Sequence, residues 1–185
     1  MEQESNPWKT ISEEVRYEND WIRVEHHEVL KPSGQPGIYG KVHFKNTAIA
    51  VLPIDQEGNT YLVGQYRYTI QDYSWELPEG GCLHELPLEA AKRELVEETG
   101  LIAEKWTFLG EHYLSNSVTD EKSVMFLAQD LHVSQANPED TEVLKIKKIP
   151  IQAAIQMALH GEIKDVLSVT TLLTYALKFP GLHFA

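Results

Sequence analysis

The run Glu79–Leu101, EGGCLHELPLEAAKRELVEETGL, constrains this chain more than any other stretch. Glu85, Glu89, Glu94, Glu97 and Glu98 are interleaved in it with apolar Leu88, Ala91 and Leu95. At about 100° per residue, Leu88, Ala91, Leu95 and Thr99 share one stripe, which predicts a helix with one face on a core. Glu94, Glu97 and Glu98 then gather on the adjacent face, because positions three and four apart are neighbours. Ala90 points toward that face and leaves it sterically open. Like charges at this spacing repel by about 0.2–0.5 kcal/mol per pair. One reading is a solvated acidic helix laced by Glu89–Arg93 and Arg93–Glu97 ion pairs. The other is a set of hard oxygen donors gathered for a divalent cation, for which Mg²⁺ or Mn²⁺ is the chemical match.

The order of residues decides between them. Arg93-Glu94-Leu95-Val96-Glu97-Glu98-Thr99-Gly100-Leu101 fits the pattern R-E-U-x-E-E-x-G-U, with U aliphatic, and seven residues separate Glu85 from Arg93. This run resembles the box of the Nudix hydrolases. Two departures stand beside it. Four residues separate Gly80 from Glu85 where the family has five, and Leu86 replaces the family's Asp before Pro87. The helix therefore starts without a side-chain oxygen at its N-cap. The short turn leaves the role of Glu85 open and does not touch Glu94, Glu97 and Glu98.

A length of 185 residues fits one domain, or one domain with an N-terminal extension, and 42% hydrophobic with 24% charged residues fits an ordinary globular protein. The formal net charge of −12 argues against a nucleic-acid partner, since phosphate backbones recruit Lys and Arg. It leaves room for small phosphorylated substrates, because a bound divalent cation inverts the local field. The single cysteine, Cys82, excludes an intramolecular disulfide and reads as a small buried residue. No apolar run approaches the roughly 20 residues needed to span a bilayer. The opening MEQESNPWK has no basic start followed by an apolar run, so a cytoplasmic location without a membrane partner is expected.

Along the chain, Trp8 to about Phe44 reads as short strands around Val15–Tyr17, Trp21–Leu30 and Ile38–Phe44, with a turn at Pro32–Gly37. Trp8, Tyr17, Trp21 and Tyr39 are expected mostly to pack. Ala48–Ile54 reads as a strand buried on both faces, and Thr60–Tyr68 as the next strand. Strands are also expected at Lys105–Leu114, Glu121–Gln129 and Val143–Ile149. Two packing helices follow, Ile151–Leu159 and Asp165–Lys178, the second with Val166, Val169, Leu172, Leu173 and Ala176 on its apolar face.

Further motifs narrow the resemblance. Gly64-Gln65-Tyr66-Arg67 is similar to the Q-x-R element, and Glu76-Leu77-Pro78-Glu79-Gly80-Gly81 to the E-x-P-x-G-G run, of the ADP-ribose pyrophosphatase and nucleoside diphosphate sugar hydrolase branch. The small antiparallel sheet ahead of the box belongs to the same likeness. It implies an α/β fold: a Nudix α/β/α sandwich with a mixed sheet (46–185), preceded by a small N-terminal sheet region (1–45) that serves dimerisation and the substrate pocket. It further implies metal-dependent hydrolysis of a nucleotide sugar such as ADP-ribose or GDP-mannose, by a homodimer. Glu94, Glu97, Glu98, Glu142 and the carbonyl of Glu79 would hold Mg²⁺ or Mn²⁺. Arg67, Glu121 and Glu76 would meet the substrate, with Tyr17 or Trp21 stacking on its base. Glu139 or Asp140 would act on the attacking water. Two other functions remain open: a Nudix enzyme for dinucleoside polyphosphates or oxidised nucleotides, and a nucleotide-sugar sensor that does not hydrolyse.

Overall fold

The computed structural model describes residues 5–134 and 144–181. In chain order its elements are β1 (Lys9–Glu18), β2 (Ile22–Leu30), β3 (Pro36–Phe44), β4 (Thr47–Pro53), β5 (Asn59–Arg67), β6 (Asp72–Glu76), β7 (Glu79–Cys82), α1 (Pro87–Thr99), β8 (Leu101–Tyr113), β9 (Lys122–Val133), β10 (Lys145–Pro150), α2 (Ile151–Leu159) and α3 (Val166–Lys178). They fall into two compact units: Met1–Asn46 with Tyr113–Lys122, and Thr47–His112 with Ser123–Ala185.

The first unit is an antiparallel sheet in the order β1-β2-β3. Strand β1 is longer than its sequence suggests, because register shifts at Thr10/Ser12 and Val15/Tyr17 break the period-two pattern that would reveal it. Asp120 ties the 115–120 loop to β3: its carboxylate accepts from Phe44 N at 2.9 Å and meets His43 Nδ1 at 2.7 Å and Lys41 Nζ at 2.9 Å. Tyr39 Oη donates to Ser117 O at 2.8 Å, and Val42 N to Val118 O at 2.9 Å. Trp8, Tyr17, Trp21 and Tyr39 are all exposed, against the expectation that most would pack. They stand on a three-stranded sheet too thin to enclose them, and Trp8 meets Tyr39 edge to face at 5.5 Å.

The second unit holds two sheets, β10-β5-β6 and β7-β4-β9-β8. The second of these is mixed: β4 runs parallel to β9 (Ala48↔Ser123) and antiparallel to β7 (Ile49↔Gly80). Residues Ile49 to Leu52 are fully buried, as a strand covered on both faces requires. Alternation sends Ile49 and Val51 to one side, where they pack with Ala90, Ala91, Leu95, Val124 and Phe126 under α1. Helix α3 also packs on β4, and α2 packs on α3, β5 and β10. Helices thus flank a mixed sheet, the α/β/α arrangement that the sequence implies. Among the described residues, no helix is long and apolar enough to cross a membrane.

Helix α1 begins as its sequence dictates. Leu86 is an N-cap with no side-chain hydrogen bond, Pro87 opens the helix, and Gly100 closes it at φ 67°. Two details differ from the expectation. Ala90 does not leave an open face but is wholly buried in the core, and Glu89 pairs with Lys92 instead of Arg93. In α3 the buried residues are Leu167, Ser168, Thr171, Leu172, Tyr175 and Ala176, while Val166 is exposed. The face is therefore rotated from the predicted stripe, because small polar Ser168 and Thr171 occupy core positions that hydrophobicity alone does not mark. Strands β6 and β7, short and rich in Gly and polar residues, were likewise not expected.

Candidate active site

The site is built where β7 lies against α1 in the second unit. Positions 94 and 98 share one helical stripe with buried Ala90, so the carboxyl-bearing residues Glu94 and Glu98 are themselves 9% and 4% exposed. That burial removes the solvated-helix reading, since water does not screen these two groups. The neighbouring strand supplies partners. Glu79 N donates to Glu98 Oε2 at 3.0 Å. Gly80 gives Glu94 its space: a Cβ at residue 80 would lie 1.9 Å from the Glu94 Cδ and Oε1. The Gly80 hydrogen is thus a structural requirement of the carboxylate above it.

Arg93 gathers the cluster. Its Nη1 donates to Glu94 Oε1 and Glu97 Oε2, both at 2.8 Å. Its Nη2 donates to Glu85 Oε1 at 2.8 Å and to Gly81 O at 3.0 Å. Burial opposes the guanidinium charge, but hydrogen bonds to Glu85 and Glu97 and the charge of Glu94 outweigh it and raise the Arg93 pKa. This gives Glu85 the role that its irregular spacing left open: it fixes Arg93 from the start of the helix. Cys82 Sγ donates to Glu85 O at 3.0 Å, closing the shortened turn.

A second group lies on the strands leading into β7. Arg67 Nε donates to both Glu76 oxygens, at 3.1 and 3.0 Å, and its Nη2 donates to Glu76 Oε2. Glu76 is 3% exposed, so this forked pairing satisfies a buried carboxylate. Burial works against the Arg67 charge, but Glu76, with Glu79 and Asp165 nearby, raises its pKa. The Glu79 carboxyl is pushed well above the ordinary carboxylate range by burial and by the charge of Asp165. It accepts from Ser168 Oγ at 2.6 Å.

A divalent cation suits this donor set. Glu94, Glu97 and Glu98 offer hard oxygens from one helix, the backbone at Glu79 approaches Glu98, and Gly80 leaves a cradle that a side chain would fill. Among the described residues, no three His, Cys, Asp or Glu side chains converge tightly enough to hold an ion as they stand. Arg93 Nη1 lies 2.8 Å from an oxygen of each of Glu94 and Glu97, so both carboxylates face the guanidinium.

Glu94 and Glu97 are therefore brought to Arg93, Glu98 to the Glu79 N–H, and Arg67 to Glu76. Tyr17, Trp21 and Glu121 belong to the first unit. Tyr17 and Trp21 are solvent-exposed, and Glu121 N donates to Thr119 Oγ1 at 3.4 Å. Glu139, Asp140 and Glu142 lie outside the described residues. The first unit also contains a cleft of about 370 Å³ lined by Trp8, His27, Tyr39, Lys41, Asn116 and Asp120, which Tyr17 and Trp21 do not line. Sequence reasoning missed Ser168 and Asp165 as parts of the second unit's cluster. The available signal was an N-cap pattern, Asp165 followed three residues later by Ser168, whose N–H donates to Asp165 Oδ2 at 2.6 Å.

The NUDIX domain family matches residues 44–168, and the nucleoside diphosphate sugar hydrolase N-terminal domain family matches residues 8–42. An ADP-ribose pyrophosphatase of Mycobacterium tuberculosis is 31% identical over 174 residues, covering 90% of this chain and 82% of its own length. A GDP-mannose pyrophosphatase of Yersinia pestis is 32% identical over 141 residues, covering 71% of this chain and 70% of its own length. A crystal structure described as that of an ADP compounds hydrolase matches with a TM-score of 0.85 at 22% identity over 97% of both chains, which shows a shared fold. With the acidic helix, its Arg93 clamp and the glycine cradle all falling inside a family match that spans most of its length, the chain belongs to the Nudix family.

Proposed function

We propose that this protein is a pyrophosphohydrolase that cleaves the diphosphate of nucleoside diphosphate sugars, with ADP-ribose and GDP-mannose as the reference substrates. The products are a nucleoside monophosphate and a sugar phosphate. The observation that carries the reading is the Glu94 carboxylate seated over Gly80, on the helix that also bears Glu97 and Glu98, in a chain whose residues 8–42 match a nucleoside diphosphate sugar hydrolase N-terminal domain. The two curated relatives named above bear ADP-ribose and GDP-mannose in their names, which supports the substrate class.

In this reading Glu94, Glu97, Glu98 and the Glu79 carbonyl hold Mg²⁺ or Mn²⁺, with Glu142 as a further ligand. Such a cation, when bound, offsets charge on the diphosphate and acidifies water. Arg67 places a guanidinium against the phosphate oxygens, and Glu76 keeps it oriented there by the two-pronged pairing. Asp140 or Glu139 accepts the proton of a water whose oxygen forms a new bond to one phosphorus. The bond from that phosphorus to the bridging oxygen breaks, and the other phosphate leaves with the electron pair. Tyr17 or Trp21 stacks on the base, and Glu121 contacts the substrate. The N-terminal region 1–45 serves dimerisation and the pocket, residues 46–185 form the catalytic domain, and the working state is a cytoplasmic homodimer without nucleic-acid or membrane partners.

A panel of nucleotide sugars incubated with purified protein and Mg²⁺, with products identified by mass spectrometry, tests the proposal. Turnover of ADP- or GDP-sugars to the monophosphate and the sugar phosphate is expected. Turnover confined to dinucleoside polyphosphates or oxidised nucleotides, or binding without any product, overturns it.

A further inference from the structure

The Leu77–Gly80 segment carries two contacts of the proposed metal site: the Glu79 N–H that holds Glu98, and the cradle at Gly80. The β4 ladder holds Glu79 and Gly80, and a further hold on the segment comes from α3, a helix far along the chain. Leu77 N donates to Ser168 Oγ at 2.9 Å, and the same hydroxyl donates to Glu79 Oε1 at 2.6 Å. One hydroxyl therefore spans both ends of the Leu77-Pro78-Glu79 step, using its donor and an acceptor lone pair at once. Ser168 is fully buried, and its own backbone N–H is held by the Asp165 carboxylate at the N-cap of α3. Val51 N donates to Pro78 O at 2.9 Å, so the step is also tied to β4.

The geometry points to Ser168 as a positioning residue for the metal site, acting through the Leu77–Glu79 backbone on Glu98. The hydroxyl braces the Leu77–Glu79 step from the side opposite the β4 ladder, and through it the Glu79 N–H to which the Glu98 carboxylate is bonded. A packing role alone does not require this pattern, since an alanine side chain in place of Ser168 would fill the same buried position with no loss beyond one oxygen. Partners of this kind, one step removed from the ligands, change metal affinity or activity by about 10–100-fold when removed.

The inference rests on the reading of Glu98 as a metal ligand, and the experiment separates the two. Mn²⁺ alone, without substrate, is titrated into the full-length protein and free Mn²⁺ is followed by electron paramagnetic resonance. Ser168→Ala is expected to weaken Mn²⁺ binding about tenfold and to raise the metal concentration for half-maximal turnover in parallel. Ser168→Thr, which keeps the hydroxyl, is expected to recover most of that loss. Thr170→Ala, on the same helix where the hydroxyl donates to Val166 O, serves as the control and is expected to match the wild type. Should Ser168→Ala not fold, Ser168→Cys, of similar volume with a weak donor, makes the same comparison. Unchanged Mn²⁺ affinity in the hydroxyl-free variants, or a Ser168→Thr protein as weak as Ser168→Ala, overturns the inference and leaves the metal reading standing. A wild type that binds no Mn²⁺ overturns both.

Discussion

Replacing Gly80 by alanine perturbs one atom position in a calculable way. The added Cβ would lie 1.9 Å from Glu94 Cδ and Oε1 and 2.4 Å from Oε2. Non-bonded heavy atoms settle at about 3.5–4.0 Å, so the carboxylate must withdraw by about 1.6–2.1 Å. The backbone does not resist the change, because Gly80 is not among the glycines with positive φ. The obstructing atoms are the tip of a flexible side chain, so the strain is relieved by moving Glu94 and not by opening β7. Stability and activity should therefore separate. Restricting the unfolded chain contributes about 0.4–1 kcal/mol in favour of the variant, partly cancelling the lost contacts of Glu94. The melting temperature should move by no more than about 4 °C for a chain of this size. A ligand misplaced by about 1 Å costs about 10²-fold in rate, which is about 2.7 kcal/mol on the barrier. The assay is kcat/KM for ADP-ribose at saturating Mg²⁺ beside a thermal melt, with Gly40→Ala, where a Cβ meets nothing within 4 Å, as the control. A Gly80→Ala enzyme within about threefold of wild type at equal stability refutes the cradle argument.

Glu97→Gln and Glu98→Gln should each lower turnover by orders of magnitude while leaving the thermal melt nearly unchanged, because the amide keeps the volume and an acceptor oxygen. Unchanged rates remove both residues from the metal set. Stability should also fall in acid through Asp55. Burial disfavours its charge, yet Lys148 at 2.8 Å and N–H donors from Asn59 and Glu57 outweigh that and bring its pKa down to about 2. A carboxyl depressed on folding stabilises above its unfolded value near 3.8 and loses that contribution as pH falls toward 2. Denaturant titrations between those limits should show Asp55→Asn with a shallower pH slope than wild type; equal slopes contradict the pairing.

Helix α1 was legible because three independent signals agree on it: the apolar stripe through Leu95, Pro87 at the first turn and Gly100 at the end. Strand β4 was legible from an unbroken apolar run. The box residues followed from order alone, which is a property of the family and not of amphipathicity. Other parts were invisible for physical reasons. Ser168 is a small hydroxyl in a core position, and only a distant strand gives it meaning. Strand β7 is Glu-Gly-Gly-Cys, with no branched side chain to advertise a strand, and it exists because β4 offers it a ladder. The apolar face of α3 was misplaced by counting Val166 inward, whereas the helix turns Ser168 and Thr171 to the core and leaves Val166 in water.

The bridging of Glu85, Glu94, Glu97 and the Gly81 carbonyl by Arg93 has a thermodynamic consequence. It makes the guanidinium a tethered counter-ion, present at fixed effective concentration whether or not an external ion is bound. The acidic helix then needs no metal to fold, and chelation should remove turnover while the chain stays folded, its melting temperature lowered only by the binding free energy lost. Under the proposed reading, metal loading would be an exchange of partners at the Glu94 and Glu97 oxygens. The affinity of the site would then depend on how readily Arg93 retreats onto Glu85 and the Gly81 carbonyl, its two other acceptors.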